Sequence, residues 1–407
     1  MTTRHHPEVP PTAGLPLRAS DLWPTRPTLA ATLAEQLDLP EPLLECSGTA
    51  ALLVALHTLR RQAPQRRVVV VPAYTCPLVA ITVHSLGLEL RLCDTRPGHF
   101  EMDPQALAQV CGSDTLAIVP AHLGGLVADL DGVLDVAKTC GARVIEDAAQ
   151  AMGARDHGQS VGLRGDIGFF SLAAGKGLSI YEGGLLIARD PGLRAALTRT
   201  HAEIVPRRPA WELRRSLELL GLALLYRPAG LGLAYGGPLR RALHRGDPVA
   251  AVGDAFPPTI PLHRVGRWRQ GVGTRAAARL PAFVQQLRTQ AAQRIAQLRD
   301  MPGLQVLEAA PGTTASWPFL MLQAATAARC EAILAQLWTA GLGVSRLFVH
   351  ALPDYAYLAD RVPRTPMPNA RNFAARTLTI SNSPWLDDDA FAHVCTVLQR
   401  SAGDRAD

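Results

Sequence analysis

From about residue 45 to 190, short unbroken apolar runs alternate with stretches whose apolar positions recur every three to four residues. The runs at Val68–Val71, Leu88–Cys93, Leu116–Val119, Arg143–Glu146 and Ile167–Leu172 predict strands. Between them, Thr49–Gln62, Pro77–Leu86, Pro104–Val110 and Asp131–Cys140 predict helices. A run such as VVVV at Val68–Val71 marks a strand covered on both faces. The pattern therefore predicts an α/β fold with a mostly parallel sheet and helices on each side.

The rhythm then changes. Residues 205–245 hold two apolar segments, split by Arg227 and Pro228 and bracketed by arginine pairs that begin at Arg207, Arg214 and Arg240. A membrane-spanning helix needs about 20 unbroken apolar residues, and neither half reaches that. A helical hairpin packed on the body or on a second subunit is expected. The alternative is an amphipathic element resting on a membrane surface through about 211–235. Farther on, Arg275–Asp300 predicts one long helix bridging two domains, followed by strand Ser316–Leu322, helix Ala327–Ala340, strand Thr377–Ile380 and helix Asp387–Arg400. The expected division is a loose N-terminal arm over 1–27, a large domain over 28–260 carrying the insertion, and a bridging helix with a smaller α/β domain over 261–407.

Composition sets outer limits. A chain of 407 residues with 48% apolar and 19% charged content suits two globular domains. A formal net charge of +6 favours anionic ligands such as phosphates. Scattered arginines and 5% aromatic content do not make a stacking platform for nucleic acid. The seven cysteines form no CxxC pair and no zinc-spaced Cys/His cluster, so no metal site is expected and the thiols suit a reducing, cytoplasmic setting. The opening residues lack the apolar run of a secretion signal.

Candidate chemistry concentrates between Arg143 and Gly184. Asp147 stands where a buried strand runs out, and ligands of parallel sheets bind beyond the carboxyl ends of strands. Lys176 sits in the Gly/Ala-rich loop SLAAGKG just past the next strand. An amine able to form a Schiff base and a carboxylate able to partner a pyridinium nitrogen are what pyridoxal phosphate (PLP) requires. Ser171 offers a hydroxyl for its phosphate. Taken alone, Asp147 is equally a helix cap for DAAQA, and Lys176 an ordinary lysine. Upstream, CSGTAA opens the first helix of the series, where Ser47, Gly48, Thr49 and Ala50 suit either a phosphate cradle or a plain cap.

The blocks CSGTAALLVAL, VVVVPAYTCPLVA, VPAHLGGLVADLDG, VIEDAAQAMGA, GDIGFFSLAAGKGL and YEGG, in that order, resemble the DegT/StrS-type nucleotide-sugar aminotransferases, PLP enzymes of fold type I. The resemblance is clear over residues 45–190, with later echoes at RVGRWRQGVG and PWLDDDAFAHV. It implies that Lys176 is the Schiff-base lysine, that Asp147 partners the pyridinium, and that Gln150 lies near the ring. Gly48, Thr49, Ala50 and Ser171 would hold the phosphate, and His122 would stand in the substrate site or be a satisfied core histidine. Three positions depart from the family's pattern. Cys76 replaces the usual ring-stacking aromatic, leaving Tyr74 to reach the ring or stacking weakened. Gly175 precedes the lysine where a threonine is common. PLHRVGRW lacks the asparagine usually donated to the neighbouring subunit's phosphate, so His263 or Arg264 would substitute. The implied function is a cytoplasmic, homodimeric aminotransferase moving an amino group from an amino acid, glutamate foremost, to a nucleotide-linked keto sugar, as in cell-surface polysaccharide biosynthesis. The alternatives are transfer to a non-sugar carbonyl and a catalytically silent binding or regulatory member. Relatives that dehydrate instead carry histidine in place of the lysine.

Overall fold

The computed structural model describes residues 8–401. Helix α1 (Leu29–Leu37) buries Leu29, Leu33 and Leu37, one face at helical spacing. Edge strand β1 (Leu43–Glu45) leads into α2 (Gly48–Gln62), whose cap Ser47 accepts the Ala50 amide at 3.0 Å. The alternating series follows as β2 (Val68–Pro72), α3 (Pro77–Ser85), β3 (Glu89–Cys93), α4 (Pro104–Val110), β4 (Thr115–Ile118), α5 (Asp131–Cys140) and β5 (Arg143–Asp147). A small hairpin, β6 (Arg155–Asp156) and β7 (Gln159–Ser160), precedes β8 (Ile167–Ser171) and β9 (Gly184–Ile187).

The large sheet has the order β1-β9-β8-β5-β4-β2-β3. Strands β3, β2, β4, β5 and β8 run parallel, as the apolar runs predict. Strand β9 is antiparallel to both β8 and β1, closing that edge. Its GLLI is as fully buried as the neighbouring β8, and an apolar run does not encode strand direction. Because β2, β4, β5 and β8 are parallel, their carboxyl ends share one side of the sheet, which is where ligands of open α/β sheets bind.

Helix α6 (Pro191–Ile204) leads to the insertion: α7 (Pro209–Leu225), α8 (Pro228–Leu231), a π-turn over Gly232–Gly236, α9 (Gly237–His244) and α10 (Pro248–Val252). The two arms bend by 115° at the Arg227–Pro228 break, because proline disfavours helical backbone in the residue before it. Among the described residues no single helix is long and apolar enough to cross a membrane, although the bent pair meets that test by length and composition.

The bridge expected as one helix over Arg275–Asp300 is two, α11 (Arg267–Ala277) and α12 (Leu280–Leu298). Pro281 has no amide to continue the ladder, so it starts a second helix. The remainder holds β10 (Leu304–Val306), β11 (Thr313–Thr314), β12 (Phe319–Ala324), α13 (Ala327–Leu337), β13 (Val344–Ser345), α14 (Pro368–Arg376), β14 (Thr377–Ser381) and α15 (Asp388–Arg400). Its antiparallel sheet runs β10-β12-β14-β13, while β11 pairs with β6 in a three-stranded sheet with β7. Strand β12 begins at Phe319 rather than Ser316, because Trp317 at φ +55° and Pro318 break the extended run.

The N-terminal arm, expected loose, is packed over its described part. Val9, Ala13, Leu15 and Leu17 are buried. The Val9, Ala13 and Leu15 amides donate to the carbonyls of Gly341, Pro318 and Gly177. Apolar side chains between its prolines anchor it to the small domain and to the lysine loop. Residues 1–7 of the expected arm lie outside the described residues.

Candidate active site

At the carboxyl ends of β2, β5 and β8 lies a cavity of about 630 Å³. Of the residues singled out from the sequence, Gly48, Thr49, Cys76, Asp147, Gln150, Ser171 and Lys176 line it. Asp147 ends β5 and Ser171 ends β8, while Gly48 and Thr49 open α2 with amides that have no partner inside the helix. A Cβ on Gly48 would stand 3.3 Å from the Ser171 Cβ, so glycine lets the start of α2 approach the end of β8. Their juxtaposition forms an anion cradle of helix amides and one hydroxyl.

Burial dominates the electrostatics. The Lys176 amine is held below its usual range by desolvation, opposed by the negative charges available at Cys76 and Asp147. The Asp147 carboxyl is raised by desolvation, opposed by the Ala149 amide, which donates to its Oδ1 at 3.0 Å, and by Lys176. Each charge is felt by the other, yet among the described residues no ion pair joins them. A neutral amine is the nucleophilic form, and desolvation shifts Lys176 toward it, the direction that condensation with an aldehyde requires. Burial pushes the Cys76 thiol up to about 12, leaving a neutral side chain at the cavity wall. The Gln150 carbonyl accepts the Gly124 amide at 3.0 Å.

Five expected residues are placed elsewhere. The Ala50 amide is taken by Ser47, which leaves the cradle to Gly48 and Thr49. Tyr74 does not reach the cavity: it is buried edge-on against Phe348 and Phe373, its hydroxyl bonded to the Phe348 backbone. His122 is a satisfied core histidine, with Nε2 3.0 Å from Glu146 and Nδ1 accepting the Ala128 amide. His263, completely buried, lies 3.2 Å from the Arg269 guanidinium, and burial lowers it to about 4, so it is a neutral ring. The Arg264 guanidinium donates to the carbonyls of Val205 and Ala202 at the end of α6. Both are engaged within their own chain.

The opposite wall carries residues that the sequence did not announce: Thr12, Arg215, Tyr235, Asp254, Arg346 and Phe348. Thr12 explains the glycine before the lysine. Gly175 has φ +77°, and a Cβ there would meet the Thr12 Oγ1 at 2.5 Å. The Thr12 hydroxyl donates to the Gly175 carbonyl at 2.7 Å, while the Tyr226 hydroxyl binds the Thr12 carbonyl and the Gly14 amide, each at 3.0 Å. An N-terminal segment is thereby pinned over the lysine loop by the end of α7. Asp254 accepts the Tyr355 hydroxyl at 2.6 Å and the Val349 amide at 3.3 Å, and burial raises it to about 6. The one sequence signal for Asp254 was its place in a polar turn after the insertion, which is too common to select it.

A half-buried amine and a buried carboxylate at neighbouring strand exits, beside a phosphate-sized cradle, fit PLP, and the architecture is that of a PLP-dependent transferase of fold type I. The chain matches the model of the DegT/DnrJ/EryC1/StrS aminotransferase family over residues 24–213 and 270–399, and it belongs to that family. The unmatched interval contains most of the insertion. The chain is similar to protein MosB of Rhizobium meliloti, 42% identical over 36% of this chain and 29% of that protein. It is also similar to a UDP-N-acetyl-3-dehydro-alpha-D-glucosamine 3-aminotransferase of Acidithiobacillus ferrooxidans, 38% identical over 37% of this chain and 41% of that protein. The match thus spans less than half the length of either relative. Among solved structures, DesI in the presence of its TDP-sugar product superposes with TM-score 0.74 over 99% of this chain and 94% of that one, at 19% identity.

Proposed function

We propose that the protein is a PLP-dependent aminotransferase that moves an amino group from an amino acid, glutamate foremost, to a keto sugar carried by a nucleotide. The observation that carries this reading is the convergence of Lys176 and Asp147 on one cavity from the exits of neighbouring parallel strands. The relative named for a UDP-linked keto sugar and the neighbour named with a TDP-sugar product support the acceptor class. When bound, PLP supplies an aldehyde that captures amines and a ring that withdraws electrons from the carbon bearing the amine.

The chain's own residues account for the rest. Lys176 Nζ, whose proton affinity desolvation lowers, would carry the proton away from the donor's α-carbon, the general acid/base part. Asp147 would hold the ring nitrogen, and the Gly48 and Thr49 amides with the Ser171 hydroxyl would hold the phosphate. Phe169, Phe319 and Phe348 add apolar rings to the cavity lining, and Asp254 and Arg346 offer polar groups to the acceptor. We further infer a cytoplasmic homodimer with sites near the subunit contact, serving polysaccharide or related amino-sugar synthesis. A sedimentation mass of one chain would contradict the dimer.

The reading is tested by two half-reactions. Glutamate, and glutamine in parallel, is added to the PLP-loaded protein, and loss of the cofactor's visible absorbance is followed. Nucleotide-linked keto sugars are then added to restore it. Restoration by keto sugars supports the proposal, whereas conversion by the donor with no restoration by any of them removes the acceptor assignment.

A further inference from the structure

Seven large hydrophobic side chains are exposed among the described residues, and six belong to one segment: Leu213, Leu217, Leu220, Leu224, Leu225 and Leu233. The first four fall at i, i+4, i+7 and i+11 of α7, so they form a single stripe along the helix. Leu217, Leu224 and Leu233 are 60%, 74% and 77% exposed, whereas Leu219 on the other face is fully buried and Leu222 packs against the core. Contiguous exposed apolar surface of this kind marks an interaction site.

The charge is equally concentrated. Residues 205–246 hold eight arginines and two glutamates, a net of +6, which equals the formal net charge of the whole chain. Both glutamates are engaged, Glu212 by Arg269 and Glu218 by Arg214 and Arg215. Arg207, Arg208, Arg241 and Arg245 are exposed and enter no ion pair among the described residues.

We infer that this face docks on an anionic bilayer, the leucine stripe settling at the headgroup boundary and the arginines meeting lipid phosphates. Charge selects this occupant over a second copy of the chain. A two-fold contact would set the same +6 segment against itself, whereas anionic headgroups supply the opposite sign. The second arm stays with the body rather than crossing the bilayer, since Leu239 and Ala242 are buried and Arg240 pairs with Glu8. Helix α7 then lies between bilayer and cavity, because Arg215 on its other face lines the cavity. The inference does not depend on the aminotransferase reading.

Co-sedimentation of the full chain with vesicles tests it. Vesicles of phosphatidylcholine mixed with phosphatidylglycerol should carry the protein down, less so as salt is raised, and phosphatidylcholine alone should not. The double variants Leu217→Ser/Leu224→Ser and Arg207→Gln/Arg208→Gln should each lower the vesicle-bound partition by about tenfold or more. Both should keep the wild-type helical circular dichroism and thermal midpoint. Wild-type protein that stays in solution, or binds both vesicle types alike, overturns the inference. So does a leucine variant whose sedimentation mass falls in the absence of vesicles, which would make the stripe a contact between copies.

Discussion

One wall of the cavity consists of strand ends and the other of an N-terminal segment, inserted helices and small-domain loops, and they hold their polar groups differently. On the first wall, position comes from the sheet. Asp147 and Ser171 are the last residues of parallel neighbours, fixed by the register Asp147 to Phe169, and burial is the main influence on the protonation of both Asp147 and Lys176. On the second wall, position comes from side chains bonded across long sequence separations. Arg269 on α11 grips Glu212 on α7 through two bonds of 2.7 and 2.6 Å and also reaches the Ile180 and Glu182 carbonyls. Tyr226 pins Thr12 and Gly14. Backbone pairing is cooperative and survives single substitutions, whereas a wall tied by individual side chains does not. The first wall should therefore respond to substitution in chemistry and the second in stability.

The largest effect belongs to the first wall. Lys176→Ala should lower turnover by about 10³-fold or more with the thermal midpoint little changed, and near-normal turnover in a steady-state assay would refute the amine's role. On the second wall, Arg269→Ala removes a fully buried guanidinium from the partly buried Glu212 and from the Ile180 and Glu182 carbonyls, and should cost about 3–5 kcal/mol in denaturant unfolding. A loss below about 1 kcal/mol would show that the two walls are not built differently. Asp147→Asn should cost about 10²- to 10³-fold in turnover, and unimpaired turnover would mean the carboxylate does not partner the ring.

Asp254 adds a pH dependence. Its folded value of about 6 lies above the ordinary 3.8, so the folded chain binds this proton more tightly than the unfolded one. The stability it contributes is fully present below pH 3.8 and is lost as pH rises through about 6. Asp254→Asn should flatten unfolding free energy across that window by up to about 3 kcal/mol, and an unchanged slope would argue that the carboxylate is solvated. The smallest effect is expected for Tyr226→Phe, at about 1–2 kcal/mol, with weaker retention of PLP on dialysis because the lysine loop loses its brace. Wild-type retention would show that the N-terminal segment is not needed there.

Part of this was legible in the chain. Continuous apolar runs such as Val68–Val71 revealed buried parallel strands, and the residues just past them fell where such sheets bind ligands. That is how Asp147, Ser171 and Lys176 were found together. Direction was not legible, so β9 gave no warning that it runs antiparallel. Side chains whose partners lie far away in sequence were also hidden. His122 and Tyr74 sit next to strand exits but turn into the core, because Glu146 and the Phe348 backbone offer them bonds. Thr12 escaped notice because its contact to Gly175 spans 163 positions. The insertion showed its apolar and basic character at once, but which leucines face outward depended on how α7 packs.

Borohydride reduction of the PLP-loaded protein, followed by mass mapping of its peptides, tests the central claim most directly, because reduction fixes the cofactor to whichever amine holds it. The account predicts one modified peptide, the one containing Lys176, at close to one label per chain. Label on another residue, or none after saturation with PLP, would contradict it.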